Sequence, residues 1–159
     1  MVQRIEMASV SRRDVLKFAG AGACTALAAS LLPGLAMADA KMAAESIKKI
    51  AGGKTPTMGK VTLELPQIAE NGNTVPVGVD VESPMTDADY VKAIHILADG
   101  NPSPEVAVFK FSPASGRANA ATRMRLAKTQ NVIAVAEMGD GSVFMAKTEV
   151  KVTIGGCGG

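Results

Sequence analysis

Short apolar segments separated by turn residues fill the chain from residue 61 onward, and they predict a β protein. Val61–Leu65 alternates apolar and polar side chains, and Thr74–Val81 places a valine at every second position. Alternation with a period of two is typical of half-buried strands. Five further segments of this kind follow, at 90–98, 106–111, 118–127, 132–138 and 142–154, and Gly139-Asp140-Gly141 is a hairpin-type turn between the last two.

A helical pattern precedes these strands, at Lys41–Ala51. Ala43, Ile47 and Ile50 recur there at helical spacing, and Gly52-Gly53 supplies a stop. The predicted strands have no helix between them, which argues against a parallel sheet and favours an all-β fold. We therefore predict a single immunoglobulin-like antiparallel β-sandwich of about seven strands, with a short N-terminal helix, in residues 39–154. Pro76 suggests a sheet edge or bulge in its strand.

The first 38 residues differ in composition and resemble an export signal. Arg12 and Arg13 lie in Ser11-Arg12-Arg13-Asp14-Val15-Leu16-Lys17, which resembles the twin-arginine motif. An apolar run rich in small residues follows from Phe18 to Leu35. The run is of modest hydrophobicity and ends in small residues suited to signal peptidase, so a cleaved signal is favoured over a transmembrane anchor. The segment 1–38 thus predicts twin-arginine export to the periplasm.

Cleavage is expected before Asp39, with a cut before Lys41 as the alternative. Cys24 loosely resembles a lipoprotein processing site, but most of the apolar run follows it, so a discarded signal-peptide cysteine is favoured. Residues 1–38 hold four of the 17 basic and two of the 15 acidic residues, which leaves 13 of each sign in the mature chain. This balance gives no basic excess to favour nucleic acid or stable association with an anionic membrane.

The last five residues hold the one cysteine of the predicted mature chain, Cys157. Gly155 and Gly156 precede it, and Gly158 and Gly159 follow it. Glycine has no side chain to pack and loses much freedom on ordering, so the segment predicts a flexible arm at residues 155–159. An unpaired cysteine in an oxidising compartment implies an intermolecular bond or a reactive group. No cation lies near it in sequence to activate the thiol, which suits it to be acted on by enzymes.

His95 is the only histidine, so it excludes sites that need two histidine ligands. Strand periodicity puts it on one face with Val91, Ala93 and Leu97, which favours a packed or sheet-surface histidine. His95 could also act as a general base for Cys157, but a base held in a sheet cannot easily organise a thiol on a flexible arm. The packed interpretation is therefore preferred.

Two charged pairs are candidate binding sites, Asp87 with Asp89 and Arg123 with Arg125. Asp87 and Asp89 have the spacing of calcium ligands but lack the rest of an ion loop, so a solvated loop is favoured. Arg123 and Arg125 share a strand face that could meet an acidic partner, although a solvated face is the preferred interpretation. The sequence therefore predicts no catalytic residue, no metal site and no cofactor.

A twin-arginine signal, a small sandwich and a terminal Gly-Gly-Cys-Gly-Gly together resemble the SoxY family. Its members are the sulfur-carrier, thiosulfate-binding subunits of the periplasmic Sox thiosulfate-oxidation system. The resemblance covers the whole predicted mature chain and is most specific at Val150–Gly159. It also includes Lys60–Pro66, Ile68–Val77, Ser83-Pro84-Met85, Tyr90–His95 and Ala127–Val132.

The resemblance implies that Cys157 is a covalent attachment point rather than a catalyst. A haem enzyme, SoxAX, would couple thiosulfate oxidatively to the thiol, and a dimanganese hydrolase, SoxB, would release sulfate. A molybdenum–haem sulfur dehydrogenase, SoxCD, would oxidise the remaining sulfane sulfur where it is present. The carrier would form a complex with SoxZ, a smaller sandwich protein. Strands that are apolar on both faces also favour a substantial protein partner.

Three alternatives remain from the residues themselves. Cys157 could make an interchain disulfide in a structural protein. The terminal Gly158-Gly159 could belong to a ubiquitin-like modifier, although export argues against access to ATP and the strand count exceeds a β-grasp fold. A thiol enzyme lacks both a base and an activating charge near its cysteine.

Overall fold

The computed structural model describes the backbone of residues 35–156 and the side chains of residues 40–156. Residues 1–34 of the predicted signal, Cys157 and the two glycines after it lie outside the described residues. Within the described part, one helix precedes nine strands. These are α1 (Leu35–Ile50), β1 (Thr57–Met58), β2 (Val61–Glu64), β3 (Ile68–Asn71), β4 (Val75–Val81), β5 (Val91–Ala98), β6 (Glu105–Lys110), β7 (Ala118–Met124), β8 (Gln130–Met138) and β9 (Val143–Ile154).

The strands form two sheets that share one apolar core. The larger sheet has the order β1-β9-β8-β5-β6 with β3 also paired to β9, and the smaller has the order β2-β4-β7. Buried side chains from both sheets make one cluster, to which β4, β5 and β8 contribute most. This arrangement confirms the predicted immunoglobulin-like all-β sandwich, and all seven predicted strands are present.

In β4 the burial of side chains follows the alternation of valines in the sequence. Val75, Val77, Val79 and Val81 all point into the core, while the residues between them face outward. Full burial of each valine contributes about 1.5–3 kcal/mol to stability. A shift of one residue in the strand register would turn all four valines toward solvent and lose this contribution. β4 is the central strand of its sheet, but β2 pairs only with residues 78–81. Pro76 therefore lies where β4 has no partner on the β2 side, which confirms a local sheet edge rather than a bulge.

Helix α1 covers the outer face of the larger sheet. Ile47 and Ile50 pack with Ala51 against a second apolar cluster that includes Leu97 and Val135. The helix begins at Leu35, six residues before the predicted start, because alanine, leucine and methionine in this stretch are strong helix formers. Both predicted cleavage points fall within it, and cleavage stays a prediction. No helix in the described range is long and apolar enough to span a bilayer.

β1 and β3 are the two strands that the pattern did not predict. Both pair in parallel with β9: Thr57 lies opposite Phe144, and Ile68 lies opposite Lys151. The sandwich therefore contains two parallel pairings beside the antiparallel pairings that were predicted. Both additions lie on the side of β9 away from β8, so they cover a strand edge that would otherwise be open to pairing with another chain.

The predicted turn between β8 and β9 is present and is fixed by Asp140. Its carboxylate accepts hydrogen bonds from the hydroxyl of Ser142 at 2.7 Å and from the amide of the same residue at 2.8 Å. These bonds stabilise the charged form and lower the pKa of Asp140, with a further contribution from Lys54. The hairpin lies at the end of the β8–β9 pair opposite the end of β9 that leads to Gly156.

Candidate functional site

The last strand carries the chain toward Cys157, and its end is paired on both sides. Val150 lies opposite Gln130 of β8, and Ile154 lies opposite Asn71 of β3. Regular structure therefore extends to the third residue before the cysteine.

Three backbone hydrogen bonds join the end of β9 to two distant segments. The Gly72 amide donates to the carbonyl of Ile154 at 2.7 Å, and the Leu126 amide donates to the carbonyl of Gly72 at 2.8 Å. The Gly156 amide donates to the carbonyl of Leu126 at 2.9 Å. We call these four residues, Gly72, Leu126, Ile154 and Gly156, the C-terminal clamp.

The glycines of this region are required by close backbone contact. A Cβ atom on Gly155 would lie 2.2 Å from the carbonyl oxygen of Ala127, and one on Gly156 would lie 2.7 Å from that of Gly72. On Gly72, a Cβ atom would lie 2.3 Å from the carbonyl oxygen of Leu126. Since all three obstacles are backbone atoms, they cannot rotate away. Any other residue at these positions would separate the segments.

The prediction of a free arm over residues 155–159 is therefore wrong for its first two residues. Gly156 is buried, and both Gly155 and Gly156 lie against the sandwich. Composition alone predicted flexibility there, whereas the glycines serve close packing. Cys157, Gly158 and Gly159 lie outside the described residues, and their predicted roles stay predictions. Gly156 fixes the point in the fold from which these three residues continue.

His95 lies away from the clamp, on the outer face of the larger sheet. Its Nε2 is 2.8 Å from a carboxylate oxygen of Glu137, and its partner in β8 is Val135, in the middle of that strand. This confirms the packed interpretation. The predicted placement of Val91 on the same face is wrong, because a register shift between Val91 and Ala93 turns Val91 into the core.

Asp87 and Asp89 form no ion cage among the described residues. Asp89 takes part in the loop through its backbone: its carbonyl accepts from the hydroxyl of Ser83 at 3.1 Å. No group of three potential metal ligands comes together in residues 40–156. Arg123 and Arg125 are exposed, and the carbonyl of Arg125 accepts a side-chain hydrogen bond from Asn101.

Comparison with known proteins places this geometry in a family. Residues 47–157 match the family model described as sulfur oxidation protein SoxY. The structure of the sulfur carrier protein SoxY from Chlorobium limicola f thiosulfatophilum has a TM-score of 0.60 and 35% sequence identity, over 72% of this chain and 99% of that one. Among curated proteins no sequence matches significantly.

A more distant structural likeness extends to a superoxide reductase (neelaredoxin) from Ignicoccus hospitalis. It has a TM-score of 0.53 and 19% identity, over 59% of this chain and 80% of that one. At this identity the likeness shows the sandwich fold alone. The family model, by contrast, spans most of the sandwich and ends at the cysteine that follows the clamp. The chain therefore belongs to the SoxY family of sulfur oxidation proteins.

Proposed function

We propose that this protein is a covalent sulfur carrier in thiosulfate oxidation, with Cys157 as the attachment point. The observation that carries the proposal is that the SoxY match runs to Cys157, directly after a residue held by the C-terminal clamp. The relative from Chlorobium is itself a sulfur carrier protein. A thiol tethered to a fixed point of a rigid sandwich suits presentation to other proteins.

The chemistry assigned to this chain is simple. The Cys157 thiol loses its proton, its sulfur forms a disulfide bond with the outer sulfur of thiosulfate, and two electrons pass to the partner enzyme. Hydrolysis then releases sulfate and leaves a persulfide on the cysteine. The protein supplies the tether and no catalytic group: His95 is engaged with Glu137 in the middle of the sheet.

The partners follow from the family. We propose a stable complex with SoxZ and transient contacts of the arm with SoxAX, SoxB and, where present, SoxCD, in the periplasm after twin-arginine export. No cofactor is assigned to the chain itself. Ile154, at the end of β9, is 66% exposed. It offers an apolar contact beside the root of the arm to an enzyme that receives Cys157.

Intact-mass measurement after incubation with thiosulfate and SoxAX tests this proposal. The full chain with Cys24→Ser is expected to gain the mass of one S₂O₃ unit, and SoxB is expected to remove sulfate from it. Cys157→Ser in the same background is the matched control and should gain nothing. An unshifted mass in the first protein, or an equal shift in the second, would overturn the carrier role.

The same samples separate this proposal from a structural protein with an interchain disulfide. That alternative expects a reducible dimer through Cys157 and unchanged thiosulfate turnover in Cys157→Ser. The carrier proposal expects turnover to stop. Non-reducing electrophoresis beside the turnover assay distinguishes the two.

A further inference from the structure

We infer that Asn101 and Gln130, two buried amides that the sequence does not single out, are positioning residues for the carrier arm. This inference rests on the proposed carrier function. Asn101 is 2% exposed and Gln130 is 4% exposed, and among the described residues they are the two polar side chains that are buried. Burying an amide costs free energy unless its hydrogen bonds are made, so their placement calls for a reason.

All the polar atoms of the two amides are engaged. Asn101 donates from Nδ2 to the carbonyl of Arg125 at 2.9 Å, and its Oδ1 accepts from the amide of Ala127 at 3.0 Å. Gln130 donates from Nε2 to the same Oδ1 at 2.8 Å and accepts from the amide of Gly100 at 2.6 Å. The two side chains form one connected network.

The network holds the backbone on both sides of Leu126. Asn101 fixes the residue before it and the residue after it, while Leu126 itself bonds Gly72 through its amide and Gly156 through its carbonyl. The carbonyl of Ala127 is also the atom that a side chain on Gly155 would strike. Asn101 therefore sets the position of the surface against which Gly155 and Gly156 lie.

A satisfied polar network specifies one arrangement more sharply than apolar packing does. Here the network specifies the position at which the arm leaves the sandwich, beside Gly155 and Gly156. With the network intact, Cys157 starts from one place and a partner enzyme meets the thiol in a reproducible position. Without it, the sandwich can persist while residues 125–127 and the clamp shift. Misplacing a reacting group by about 1 Å can cost about a hundredfold in rate.

The first test measures amide hydrogen exchange at Gly156 by NMR in the full chain with Cys24→Ser. Asn101→Ala and the milder Gln130→Met are expected to speed that exchange at least about tenfold, the factor for one hydrogen bond of ordinary net strength. Val91→Ala is the control, because it truncates the core at the far end of β5. When each variant is measured at the same interval below its own unfolding temperature, Val91→Ala should leave the exchange rate of the Gly156 amide unchanged. Equal exchange in Asn101→Ala and Val91→Ala would overturn the inference.

The second test separates positioning from folding through the chemistry of Cys157. In Asn101→Ala, the rate of thiosulfate coupling by SoxAX should fall at least about tenfold. The reaction with a small soluble disulfide reagent should stay within about twofold, because that reagent needs no fixed geometry. Parallel losses in both reactions, or none in the first, would contradict positioning. Failure of wild-type coupling would refute the carrier role instead, and hydrogen exchange would still decide whether the amides hold Gly156.

Discussion

Replacing Gly72 by alanine probes the clamp at its most crowded point. The added Cβ atom would lie 2.3 Å from the carbonyl oxygen of Leu126, 2.7 Å from the amide nitrogen of Gly156 and 3.0 Å from a methyl carbon of Val152. Two of these three atoms are backbone. The φ of Gly72 lies outside the left-handed region, so alanine meets no conformational obstacle there. The effect of the substitution is therefore steric.

The expected change in the free energy of unfolding combines one stabilising contribution and two destabilising ones. Alanine restricts the unfolded chain and would on its own stabilise the protein by about 0.4–1 kcal/mol. Overpacking against fixed atoms costs about 1–3 kcal/mol. Separation of the segments also weakens the Gly72–Leu126 and Leu126–Gly156 hydrogen bonds, at about 0.5–1.5 kcal/mol each. These contributions sum to a net loss of about 1–5.6 kcal/mol in the free energy of unfolding, or a fall in Tm of about 4–22 °C at about 4 °C per kcal/mol for a domain of this size.

Thermal unfolding followed by circular dichroism measures this loss, and Gly78→Ala is the matched control. Gly78 also lies outside the left-handed region, and the atoms nearest its added Cβ would be a carboxylate oxygen of Glu64 at 3.1 Å and the Cβ of Glu64 at 3.2 Å. Because the exposed carboxylate can rotate away and the Cβ contact needs a shift of only a few tenths of an ångström, the control is expected to stay within about 1 kcal/mol of wild type. If Gly72→Ala melts within about 2 °C of Gly78→Ala, the clamp is not the close contact described above.

Three further changes test other parts of the molecule. Gly155→Ala, whose Cβ would lie 2.2 Å from the carbonyl oxygen of Ala127, should cost about 1–3 kcal/mol in urea unfolding; unchanged stability would mean that this residue is not packed. Ile94→Ala, at 0% exposure in the core, should cost about 2–5 kcal/mol by the same assay, and a loss below about 1 kcal/mol would contradict its burial. Asp140→Asn should lower Tm above pH 3.8, where the lowered pKa of Asp140 makes its charged form stabilising. The difference from wild type should vanish as pH falls through that lowered pKa, and a pH-independent difference would refute the assignment.

The sandwich could be predicted because its signals are local. Valine at every second position in β4, and turn residues between short apolar runs, are visible within a few neighbouring residues. β1 and β3 gave no such signal, since they are two and four residues long and mostly exposed. They are strands because β9 offers an unpaired edge, which only the assembled fold reveals.

Only part of the candidate site could be predicted, because only part of it has a local signal in the sequence. The C-terminal segment stands out by composition, but composition does not distinguish glycine needed for freedom from glycine needed for close approach. For Gly156 the distinction depends on Gly72 and Leu126, which are far away in sequence. Asn101 lies in a turn, where polar residues are ordinary, and its burial follows from contacts with residues 125–130. Such contacts leave no local pattern.

The pairing of β9 also bears on what happens when the arm is pulled. β9 is hydrogen-bonded to β8 along residues 143–150, and on its other side to β1 and β3. A force applied to the C-terminus along the strand would load these ladders in shear, so many hydrogen bonds would have to break together. Unzipping from a free edge would break them one at a time. Tension on the tether is thus met by a strand that pairs with three others, more than any other strand among the described residues, and an enzyme could draw on the arm without opening the fold.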